Sequence, residues 1–272
     1  MAYQDTMRIE INKGKRIGQV LFVVEGPHTE PLLIYRIFTQ IFGYQMDRLY
    51  RNGDYKVFKR TDDPFSRVIV INANSSNICS IAKDDEYLNN VFDLLNEQYD
   101  LDIDNAAIYY LFDRDPESNT NKDFIKNALY SLCNSRDSNP NWGRQGLLLL
   151  SYPCIEGFVG MNLLDHSIEY CWNKTISLGN ELKVSLNADK LLPNHIAEDT
   201  LLHCVKELIY ALELTGVDTT LSSLLDSLDD FSGNNRTVFD WEESVYLEKG
   251  QYGMLSLFAI ALLDLGLIEV KE

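Results

Sequence analysis

The chain has 272 residues, 45% of them hydrophobic, which supplies a sizeable core and excludes wholesale disorder. Its formal net charge is −17, with 41 Asp+Glu against 24 Lys+Arg, which excludes a protein that finds polyanions through its overall field. The excess is uneven: residues 1–150 carry 21 acidic and 17 basic side chains (−4), and residues 151–272 carry 20 and 7 (−13).

The opening stretch MAYQDTMRIEINKGKR has no apolar run of the signal-peptide kind. QVLFVVE (19–25) is a short, valine-rich apolar run that reads as a buried parallel strand. Gly26-Pro27 breaks it. Thr29-Glu30-Pro31 then opens an amphipathic helix through LLIYRIFTQIF (32–42), with Thr29 expected as its cap. RVIVINA (67–73) is a second strand, and the apolar spacing from Ile78 to Tyr99 is helical. AAIYYLF (106–112) is a third strand, followed by a helix from Lys122 to Cys133. GLLLLSY (146–152) is a fourth strand, with a helix expected after Pro153.

Strands that alternate with helices of this length predict βαβ units and a parallel sheet. Beyond residue 165 the pattern becomes helical: Ala197–Leu214, Thr219–Leu228 and Tyr252–Leu265 read as helices, and residues 230–235 as a loop. The expected organisation is an α/β domain over 1–165 and an acidic α-helical region over 166–272. No run of 18 apolar residues predicts a membrane span. The run MLSLFAIALLDLGLI (254–268) is apolar nearly all round, so it is either buried core or a homo-oligomer contact. Five cysteines without a CxxC pair argue against a disulfide framework and fit a reducing, cytoplasmic setting.

Carboxylates gather where the strands end. Glu25 closes the first strand, Asp113 the third with Asp115 two positions on, and Glu156 follows the fourth. A parallel sheet places its ligands outside the carboxyl ends of its strands. Mg²⁺ takes hard oxygen ligands, typically one or two carboxylates with water and phosphate oxygens completing the shell. Two such ions about 4 Å apart can activate the attacking oxygen and stabilise the leaving one in phosphoryl transfer. A single strand-end Asp is more often a turn or cap residue, so the group rather than any one member carries the reading. Arg114, between the two aspartates, either points away from them or pairs with one.

Other residues have both a sharp and a plain reading. Arg48, Arg51, Lys56, Lys59 and Arg60 alternate with Tyr50, Tyr55 and Phe58, a pattern that can grip phosphates and stack bases. The same segment can be a solvated hairpin packed through its aromatics. Lys13, Lys15 and Arg16 form a weaker basic group. His28 either lines the strand-end group or faces solvent. His166, His195 and His203 lack ligand spacing and read as structural.

VVEGPHTEPLLIY followed by LFDRDPE resembles the Toprim domain of topoisomerases, DnaG-type primases and OLD-family nucleases, where a Glu-Gly ends one strand and a DxD ends a later one. LLLLSYPCIEGFVGMNLL is similar to the PCFE-(x)-WLLLH segment of RloB-like proteins, although Ile155 and Gly157-Phe158 replace aromatics and no His follows the leucines. The likeness spans about residues 19–165 and leaves the remainder unmatched. It implies a Mg²⁺- or Mn²⁺-dependent nuclease of RNA or DNA. Such a nuclease would be the toxic effector of an anti-phage system of the RloB, AbiL or PARIS AriB type, controlled by an ABC-type ATPase partner. In that reading Asp113 and Asp115 bind metal, Glu25 is a ligand or general acid/base, and Glu30 and Glu156 are further ligands. The alternative is a non-catalytic adaptor of the same fold. A phosphatase of the haloacid dehalogenase type would need DxDxT, and Glu117 stands at the fifth position.

Overall fold

The computed structural model describes residues 7–47, 55–73, 78, 97, 105–117, 119–138 and 145–272. Over these residues the strands are β1 (Arg8–Ile11), β2 (Gln19–Val24), β3 (Tyr44–Met46), β4 (Tyr55–Arg60), β5 (Arg67–Asn72), β6 (Ala107–Asp113), β7 (Cys133–Ser138), β8 (Gln145–Tyr152), β9 (Leu255–Ser256) and β10 (Ile268–Lys271). The α-helices are α1 (Thr29–Arg36), α2 (Lys122–Ser131), α3 (Glu156–Leu163), α4 (Tyr170–Lys174), α5 (Gly179–Ala188), α6 (Glu198–Thr215), α7 (Leu221–Asp226), α8 (Ser232–Lys249) and α9 (Phe258–Asp264). The fold is α/β, with a mixed, largely parallel central sheet flanked by helices. Two compact units form. One gathers residues 16–112 and 117–148; the other gathers 1–15, 113–116 and 149–272.

The sheet order is β3-β4-β5-β2-β6-β8-β7. β2 lies parallel between β5 and β6, with Phe22 opposite Val70 on one side and Tyr109 on the other. Gln145 Nε2 donates to Ala106 O (2.7 Å), and Arg114 N donates to Ser151 O (2.8 Å), so β8 runs parallel to β6. Four central strands therefore run out in one direction. Their near-continuous apolar sequences follow from burial on both faces, and Val20 to Val24 are all solvent-free. The edges differ from expectation. β4 adds antiparallel to β5 and β3 antiparallel to β4, and β7 adds antiparallel to β8. The helix expected to reach Cys133 stops at Ser131, because Cys133 pairs with Leu147 as the first residue of β7.

Local chemistry sets the helix starts in this unit. Asn121 caps α2, its Oδ1 accepting from Phe124 N at 3.1 Å. α1 continues into a π turn, Ile37–Ile41, that buries Ile37, Phe38 and Ile41. Thr29 is not the cap of α1: it is the first helical residue, and His28 precedes it without a side-chain cap bond. The helix expected over 78–99 lies outside the described residues, apart from Ile78 and Glu97.

In the second unit α3 packs on α6, and Cys154, Cys171, Ile176, Leu182, Leu186 and Met254 form one apolar cluster. Residues 254–263 are buried, so the apolar run is core here. It starts as the short strand β9, antiparallel to the end of β8, before α9 begins. β1 and β10 pair as an antiparallel ribbon. Residues 230–235 are not simply a loop: α8 starts at Ser232 and runs to Lys249, because Val238, Phe239, Glu242, Glu243 and Val245 on it are buried. Among the described residues no helix is long and apolar enough to cross a membrane.

Candidate metal centre

Glu25 is the first residue past β2, and its N–H continues the ladder to Leu111 O at 3.2 Å. The chain then turns into α1. Glu30 is buried and reaches back, its Oε1 accepting from Gly26 N at 2.9 Å. A side chain on Gly26 would press on that carboxylate. Glu30 thus braces the turn that carries Glu25. His28 is exposed.

In the other unit, Asp113 closes β6, partly exposed, and its Oδ1 accepts from Ile155 N at 2.7 Å. That bond ties the strand end to the turn after β8. Arg114 is 1% exposed. Its Nη2 lies 2.6 Å from Glu243 Oε1 on α8, and its guanidinium sits 5.6 Å from the ring centres of both Phe239 and Tyr252. The arginine therefore turns into the helical core, while Asp113 and Asp115 on either side stay partly exposed. This is the alternation of an extended segment.

Glu156 opens α3, largely buried, with Lys183 Nζ at 3.4 Å. Burial pushes the Cys154 thiol well above its usual range, and the charges of Asp113 and Glu156 push it further. The same sulfur feels both carboxylates, and Asp113 Oδ1 bonds the main chain one residue before Glu156. All-oxygen donors of this kind suit Mg²⁺ or Mn²⁺. Asp113, Asp115 and Glu156 belong to one compact unit, and Glu25 and Glu30 to the other.

Of the basic segment, residues 55–60 form β4, antiparallel to β3. Lys59 Nζ meets Asp47 Oδ2 at 2.8 Å, and Arg60 holds Asp62 through two bonds of 2.8 and 2.9 Å. The Arg60 guanidinium lowers the Asp62 carboxyl below its usual range. Lys56 is partly buried on the same strand, and Arg48 and Arg51 lie outside the described residues. Of the second basic group, Lys13 pairs with Glu198 and Arg16 lies 3.7 Å from Asp63.

Comparison with protein-family models, with curated proteins and with solved structures returns no match. The Toprim likeness therefore rests on the motif residues.

Two groups escaped the spacing argument. Arg114, Glu242 and Glu243 form a buried ionic cluster with Tyr152 and Tyr252, in which Tyr252 donates to Glu243 Oε1 at 2.8 Å. Only the paired acids Glu242-Glu243 in an amphipathic stretch hinted at it. Asp165, His203 and Glu207 also bring ligating atoms together. The signal for that group was the four-residue step from His203 to Glu207.

Proposed function

We propose that the chain is a divalent-metal-dependent phosphodiesterase of the Toprim kind, cutting RNA or DNA, and that Asp113 and Asp115 hold Mg²⁺ or Mn²⁺. What carries the reading is that Asp113 and Asp115 stay partly exposed at the end of β6 while the Arg114 side chain between them reaches Glu243 in the helical core. The position of Glu156, one residue past the Ile155 N–H that Asp113 accepts from, and the common direction of the central strands add support. The bound cation would lower the pKa of an attacking water and offset charge on the phosphate. Asp113 is oriented by Ile155 N, and Glu25 is held at its strand end by the 25–30 turn that Glu30 braces. Glu25 would then be a ligand or general acid/base.

The charge of −17 adds a condition: substrate must be delivered, and an ABC-type ATPase partner in a defence system would do so. The test is cleavage of tRNA and of plasmid by the purified protein with Mg²⁺ or Mn²⁺, alone and with its partner. Asp113→Asn keeps an acceptor for Ile155 N while removing the charge, so loss of fold would not confuse it. Activity should fall at least about 100-fold in Asp113→Asn and in Glu25→Gln. Undiminished cleavage by both would sink the assignment.

A non-catalytic adaptor is the second reading. It is favoured by one observation: Asp113, Glu30 and Glu156 each have a structural partner of their own. In that case Mn²⁺ should not raise the melting temperature of the parent, whereas a ligand set should give a rise that Asp113→Asn abolishes.

A further inference from the structure

We propose that Asp165, His203 and Glu207 form a separate binding site for a borderline transition-metal ion such as Zn²⁺, Co²⁺ or Ni²⁺, independent of the strand-end carboxylates. His203 and Glu207 stand four residues apart on α6, one above the other on the same face. Asp165 follows α3 in the turn that faces them. One ligating atom from each of the three lies within 4.8 Å of the others. His203 Nε2 is 3.7 Å from Asp165 Oδ1 and 3.0 Å from the main-chain oxygen of Leu164. Donors around a tetrahedral Zn²⁺ with bonds of about 2.0–2.2 Å sit roughly 3.3–3.5 Å apart, so small side-chain movements complete the set.

The buried half of the site is already built. Glu207 is 8% exposed, and three donors hold its carboxylate. Its Oε2 accepts from Ser167 N (2.7 Å) and Ser167 Oγ (2.9 Å), and Oε1 accepts from His166 N (3.2 Å). Oε1, with the single longer bond, keeps more capacity for a further ligand than Oε2. Outer hydrogen bonds of this sort commonly orient ligating carboxylates. The left-handed backbone at His166 (φ 51°) supports the arrangement by aiming the N–H groups of residues 166 and 167 at Glu207. Capping the short 3₁₀ turn Ser167–Glu169 accounts for Glu207, and the bond of His203 to Leu164 O brings the imidazole to the same turn, where Asp165 adds a second carboxylate. The Asp165 side chain is 89% exposed and that of His203 29%, which leaves a path for an ion to enter.

The donor chemistry names the class of ion. One imidazole nitrogen with two carboxylates, and a main-chain carbonyl alongside, departs from the all-oxygen shell that Mg²⁺ and Ca²⁺ take. Three side-chain ligands leave a position for water or a further donor. An ion here would staple the end of α3 to α6.

The test uses the full chain stripped with EDTA, titrated with Zn²⁺ by calorimetry and with Co²⁺ by its visible absorption bands. One ion should bind and raise the melting temperature. Binding should persist in the Asp113→Asn/Asp115→Asn double variant. It should weaken at least about tenfold in His203→Gln and in Asp165→Ala. Asp165 is exposed, so its variant should fold, and far-ultraviolet circular dichroism of each variant checks this. Absence of binding in the parent, or binding that survives Asp165→Ala and His203→Gln unchanged, overturns the proposal. So does binding lost in the double variant, which would assign the ion to the strand ends.

Discussion

Arg114 and its two acidic neighbours on α8 illustrate how a buried charge is tolerated. The guanidinium meets Glu243 and two aromatic faces, though its buried Nε makes no hydrogen bond among the described residues, and Glu242 beside it is completely buried. Arg114→Ala would take the charge partner from the buried Glu243 carboxylate, so it should lower stability by about 3–5 kcal/mol in urea unfolding. Glu242 behaves differently. Burial pushes its carboxyl well above the ordinary value of 4.5, opposed by the N–H of Gly253, raised further by the Glu243 charge and lowered by Lys249. Below that ordinary value both folded and unfolded chains hold the proton, and the full stability is present. As pH rises the unfolded chain releases its proton first, so this residue's contribution is lost towards the folded-state pKa. Glu242→Gln cannot ionise. Its stability should exceed the parent's at neutral pH, with the gap closing near pH 4.5. Parallel stability profiles for the two proteins would contradict this account.

Elements formed where periodicity was strong, and departed from expectation where tertiary contacts overrode local preference. The four apolar runs became the four parallel strands because each is buried on both faces. Asp230-Phe231-Ser232-Gly233-Asn234-Asn235 has loop composition, but burial of the later residues of α8 extends the helix back to Ser232. Strand β8 carries a similar tertiary detail. Gly146 has φ 127°, and the ring of Tyr110 on β6 occupies the space a side chain would take. Gly146→Ala therefore combines backbone strain with overpacking. It should cost about 1–3 kcal/mol, read as a shift of the urea midpoint without a change in slope. If the midpoint does not move, Tyr110 yields more readily than its packing indicates.

At the scale of the whole molecule, charge is the dominant constraint. Lys59 and Arg60 already have acidic partners, and the chain carries −17, so few cations are left to displace counterions from a nucleic acid. With Mg²⁺ fixed, affinity of the isolated protein for tRNA should change little between about 50 and 200 mM salt. A steep fall, approaching −0.9 in log–log slope per phosphate contact, would reveal a basic footprint and weaken the case for a delivering partner. The amino-acid sequence by itself determined the apolar strands, the α/β alternation, the strand-end carboxylates and the acidic imbalance, because these depend on composition and on short periodicities. Only the tertiary structure decided that Arg114 faces Glu243, that Glu30 braces a turn, and that Asp165 meets His203 and Glu207. Those partners lie from 4 to 129 positions apart, and beyond a helical turn or two chain spacing carries no information about which side chains meet.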